Sequence, residues 1–70
     1  MTMSERITAD TLRALGWTVG VHNDYRIHGE LHTFWLFTKG DRCAKGEART
    51  DERALQLVYD EIRRIDGGEL

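Results

Sequence analysis

The sequence predicts an α+β domain of order α-β-β-β-α, a three-stranded antiparallel meander with two helices packed on one face. Apolar residues follow helical spacing at both ends of the chain. From Trp17 the apolar period changes to two, which marks a strand. Glycine-bearing turns at His28-Gly29-Glu30 and Lys39-Gly40-Asp41 then divide the middle into three strands. With 70 residues, all of this belongs to one small domain.

The first helix is predicted over 5–15. Ser4 and Thr8 are alternative N-caps, Ile7, Leu12 and Leu15 roughly keep helical spacing, and Gly16 sits where a helix-ending glycine belongs. The first strand is predicted over 17–27, where Trp17, Val19, Val21, Tyr25 and Ile27 alternate with polar residues, as on a strand with one buried face. Asn23 interrupts that face, and His22-Asn23-Asp24 is a place for a bulge.

The second strand, 31–38, is apolar on both faces: Phe34 and Leu36 on one, Leu31, Trp35 and Phe37 on the other. A two-residue loop at Gly29-Glu30 would make paired residue numbers sum to 59, set Tyr25 opposite Phe34, and turn Trp35 away with Asp24. A three-residue loop would exchange the faces. On the first reading, which is preferred, Trp35 and Phe37 lie away from the helices. On the other they are core, and Phe34 and Leu36 are exposed. The third strand is predicted over 42–48. Thr50 caps a second helix, 51–65, whose Ala54, Leu55, Val58, Ile62 and Ile65 form one stripe. Asp51 and Glu52 suit the positive end of its dipole, and Gly67-Gly68 ends it.

Composition excludes several classes. There are 12 acidic and 10 basic residues, a net charge of −2, which is not the strongly basic balance of a general nucleic-acid binder. No apolar run approaches the roughly 20 residues of a membrane span, and Met1 to Arg6 carry no apolar signal core. A single cysteine, Cys43, cannot close an internal disulfide, as expected for a cytoplasmic protein. An intermolecular bridge remains open to it.

His22, His28 and His32, with Asp24 and Cys43, include every zinc-ligand type. The histidines sit around a hairpin turn and Cys43 has no CxxC partner. They are read as solvent-facing, and neither a metal nor a cofactor is assigned. Cys43 is read as a small strand residue. No nucleophile elbow, phosphate loop or paired-carboxylate motif is present, and so short a chain has little room for an enclosed pocket of roughly 300 Å³. A non-enzyme is expected. Lys39, Arg42, Lys45 and Arg49 form a basic run diluted by Asp41 and Glu47, read as a charged edge strand. The candidate partner-binding residues are Trp35 and Phe37 as an exposed aromatic centre, with His22, Asp24, Arg42 and Lys45 around them. A homodimer would also cover such a face.

The element order, and the run Phe34-Trp35-Leu36-Phe37 followed by Lys45-Gly46-Glu47-Ala48-Arg49-Thr50-Asp51-Glu52-Arg53-Ala54-Leu55, resemble the last strands and second helix of double-stranded-RNA-binding domains. That family usually has a lysine cluster at this helix start, on phosphates. Here the positions hold Asp51, Glu52 and Arg53. The resemblance spans about half the chain and implies a fold rather than RNA binding.

A second resemblance spans most of the chain. Gly16-Trp17-Thr18-Val19-Gly20-Val21-His22-Asn23-Asp24-Tyr25-Arg26, His32-Thr33-Phe34-Trp35-Leu36-Phe37-Thr38, and Arg49-Thr50-Asp51 before Ala54-Leu55 resemble small, mostly uncharacterised proteins of bacteriophages and prophages. Phage proteins of this size and mild acidity include anti-CRISPR inhibitors. The resemblance therefore implies a stoichiometric inhibitor in the bacterial host, bound to a Cas protein or complex and blocking DNA binding or subunit assembly. A nucleic-acid-binding module and a non-catalytic accessory phage protein are the alternatives.

Overall fold

The computed structural model describes residues 7–66. Its elements are α1 (Ala9–Ala14), β1 (Thr18–Ile27), β2 (Glu30–Lys39), β3 (Arg42–Ala48) and α2 (Asp51–Asp66), the order the sequence predicts. The strands form one antiparallel sheet in the order β1-β2-β3. The predicted boundaries at Ser4 and Gly67-Gly68 lie outside the described residues.

α1 is shorter than predicted because Thr8 stops it. The Thr8 hydroxyl accepts from the Thr11 backbone N–H while the Thr11 hydroxyl accepts from that of Thr8, a reciprocal cap. At the other end Gly16 has φ +95. Its N–H bonds to the Arg13 carbonyl and that of Trp17 to the Leu12 carbonyl, which satisfies carbonyls the last turn would orphan. Lys39 Nζ also donates to the Leu15 carbonyl at 3.2 Å, tying β2 to this helix end.

The hairpin register differs from the predicted one. Ile27 pairs with Glu30, so the loop is His28-Gly29 and paired numbers sum to 57. His28 has φ 53 and Gly29 φ 82, the pair of positive values a type I′ turn needs. Glycine is unstrained there, whereas Glu30 would be strained. The shift is two residues, so the side-chain partition survives: His22, Asp24, Thr33 and Trp35 share one face, and Tyr25, Phe34 and Leu36 share the other.

The bulge also falls elsewhere. The register slips between Val19 and Val21, at Gly20 and not at His22-Asn23-Asp24. The extra residue splits the apolar row of β1. Trp17, just before the strand, is fully buried and Val19 packs against the core, whereas Val21 and Ile27 go to the opposite face and stay 43 % and 39 % exposed.

The preferred face assignment is overturned. Both helices pack on the side that carries Phe37, which is fully buried, and Trp35, which packs partly against the core. β3 decides this. Ala44 and Gly46 pair with Phe37 and Trp35, and both are buried small residues. A Cβ on Gly46 would lie 2.3 Å from the Ala54 carbonyl oxygen, so the backbone of α2 rests almost directly on the strand. The opposite face of β3 carries Cys43, Lys45 and Glu47, all exposed, where a helix would have to bury charge. Leu12, Trp17, Phe37, Ala44, Leu55, Val58 and Ile62 form the core.

Candidate functional site

The sheet face opposite the helices is covered by no described element. Phe34 and Leu36 run along its central strand, half-buried by their neighbours alone. Across from them Asn23 pairs with Phe34 and Val21 with Leu36 on β1, while Glu47 and Lys45 pair with them on β3. The result is a shallow apolar strip with a mixed-charge margin. Toward the hairpin, the Tyr25 and His32 rings stack at 5.9 Å, and His32 Nδ1 lies 3.7 Å from Glu47 Oε2. A hydrogen bond to the Glu47 carboxylate, with partial desolvation and its negative charge, pushes the Tyr25 phenol above its usual pKa.

From Phe34 a groove of about 560 Å³ passes round the β3 edge to the outer side of α2, with Leu57 on its apolar wall and Lys45, Glu47, Asp60 and Arg64 on its rim. It is open to solvent and carries both signs of charge, the character of a contact surface rather than of an enclosed reaction chamber.

The predicted partner-binding residues separate into four places. Phe37 is core and cannot be a contact residue. Trp35 is half-buried, its ring 5.7 Å from that of Phe37. Arg42 pairs with Asp66 near the end of α2. Lys45 is exposed, on the uncovered face. The predicted basic run is largely engaged elsewhere: Lys39 on the Leu15 carbonyl, Arg42 on Asp66 and Arg49 on Glu30. Asp51 and Glu52 open α2, where double-stranded-RNA-binding domains usually carry lysines on phosphates.

His22, Asp24 and Trp35 do come together, around Asp51, which the sequence places in the first turn of the second helix, at the positive end of its dipole. Asp51 Oδ1 accepts from Thr33 Oγ1 at 3.0 Å and from Trp35 Nε1 at 3.1 Å. His22 stacks on Trp35 with centroids 3.7 Å apart and planes 14° from parallel, and its Nε2 is 3.5 Å from Asp51 and 3.6 Å from Asp24. The Trp35 hydrogen bond, and after it the Thr33 hydrogen bond and the nearby His22 ring, lower the Asp51 pKa against an opposing desolvation. Thr33, nearly fully buried, belongs to the same network. The clue in the sequence was the i,i+2 spacing of His22 and Asp24 on one strand face; the contribution of Asp51 depended on where α2 begins.

No protein-family model matches this chain, and no curated protein or solved structure matches it either. No helix among the described residues is long and apolar enough to cross a membrane.

Proposed function

We propose that this is a non-catalytic binding protein that acts stoichiometrically, by docking the uncovered sheet face on a partner protein. The observation that carries the reading is the strip of Val21, Phe34 and Leu36, which runs on to Leu57 in the groove and is margined by Asn23, Lys45 and Glu47. A sheet face left bare loses the favourable burial of those side chains, about 25 cal/mol for each Å² kept in water. A partner that covers the strip recovers that term, while Lys45, Glu47 and Glu30 at the margin set orientation.

Within that reading, the resemblance of the Gly16–Arg26 and His32–Thr38 segments to phage proteins directs the search for the partner. The proposed activity is inhibition of anti-CRISPR type, with a Cas protein or complex occluded from DNA or from another subunit. A nucleic-acid-binding module is the weaker reading, because Lys39, Arg42 and Arg49, three of the four basic residues it would use, are engaged within the fold. The test is a DNA-cleavage assay with interference complexes of the natural host and full-length protein. Wild type should inhibit at near-equimolar dose. Leu36→Asp should stay folded and lose inhibition, while Asp24→Asn, on the other face, should keep it. Full inhibition by Leu36→Asp, or none by wild type against any host complex, overturns the proposal.

A further inference from the structure

We propose that His22, Asp24 and Asp51 bind a divalent transition-metal ion of the zinc class. This goes beyond the docking reading and uses none of its face. β1 supplies His22 and Asp24, two residues apart and therefore on the same side of the sheet, and α2 supplies Asp51 from its first turn. One ligand atom from each lies within 4.8 Å of the others.

Two features of the geometry distinguish this set from a group of exposed ion pairs. The first is spacing. The Nε2 of His22 stands 3.5 Å from one carboxylate and 3.6 Å from the other, longer than the roughly 2.7–3.2 Å of a well-formed hydrogen bond. Ligands at about 2.1 Å around a tetrahedral ion stand about 3.4 Å apart, so each carboxylate stands from the His22 Nε2 at the spacing a shared ion would set. The second is orientation from behind. Trp35 lies flat against the imidazole with the Nε2 toward both carboxylates, and the Trp35 indole N–H and Thr33 hydroxyl hold the Asp51 carboxylate. Metal-ligating carboxylates are held by such outer hydrogen bonds.

The donor set selects the ion class. An imidazole nitrogen with two carboxylates suits zinc and its neighbours, whereas magnesium and calcium take oxygen ligands throughout. The positive end of α2 opposes a cation at this place, and the two negative carboxylates outweigh it. All three side chains are partly exposed, so the fourth coordination position faces solvent and is open to water or to a donor from another molecule.

The chain carries its own reporter. Of its two tryptophans, Trp35 donates its indole N–H to Asp51 and Trp17 is buried in the core. The experiment titrates full-length protein with zinc chloride in a non-coordinating buffer and follows both indole signals by 15N–1H NMR. A saturable 1:1 change at the Trp35 signal, little change at Trp17, and no response to magnesium are expected. Asp24→Asn should weaken binding by at least about tenfold, with backbone signals showing it folded, and His22→Ala should abolish it. Cys43→Ser, on the uncovered face, should bind as wild type does. An unmoved Trp35 signal at about 1 mM zinc, or unchanged affinity in His22→Ala and Asp24→Asn, overturns the proposal.

Discussion

Asp51 does three jobs from one position. It opens α2, where its charge meets the positive end of the helix, it receives both β2 donors, and it faces His22. Because its folded pKa lies below the ordinary aspartate value of 3.8, it binds fewer protons in the folded than in the unfolded chain near that pH. The stability it contributes is therefore fully present above the unfolded pKa and is lost as pH falls through the folded one. Thermal melts should show the protein weakening below about pH 4, and Asp51→Asn should flatten that part of the profile while lowering the melting temperature at neutral pH. An identical acid profile in the variant would remove Asp51 from the network. His28 gives a second residue-scale expectation. It holds φ 53 next to Gly29 in a turn that prefers Asn-Gly, so His28→Asn should stabilise the protein by a few tenths to about 1 kcal/mol in urea unfolding.

Among the elements, the least patterned strand decides the most. β2 alone cannot say which of its two apolar faces is core, since Phe34 and Leu36 look as buriable as Trp35 and Phe37. β3 breaks the tie through Ala44 and Gly46 on one side and Lys45 and Glu47 on the other. Its alternation of small with charged residues is present in the sequence, but small residues do not register as apolar signal. Gly46→Ala should consequently cost about 1–3 kcal/mol in chemical denaturation, because its Cβ meets the Ala54 carbonyl of α2 and not a movable side-chain end. A neutral Gly46→Ala would mean that helix and strand lie further apart. The α-β-β-β-α order and the bounds of β3 were legible from periodicity and turn residues. The Gly20 bulge was not, because Trp17, Val19 and Val21 keep a perfect period of two across it and only pairing reveals the slip. The His22–Asp24–Trp35 half of the polar cluster was legible as a shared strand face. Its Asp51 half was not, since it arises from helix α2 being laid on that same face.

At the scale of the whole molecule, a three-stranded sheet with both helices on one side has one more face than its own elements can cover. Phe34 and Leu36 are only partly buried there, while Phe37, one step from Leu36 on the same strand, is fully buried. Both the docking proposal and the separate location of the metal site depend on that division. The most direct test is paired unfolding of Phe37→Ala and Phe34→Ala in urea. Truncating the core phenylalanine should cost about 3–5 kcal/mol or prevent folding. Truncating the surface one should cost well under half of that and leave a dispersed, folded spectrum. If Phe34→Ala unfolds the protein and Phe37→Ala is tolerated, the helices cover the other face and the account is wrong.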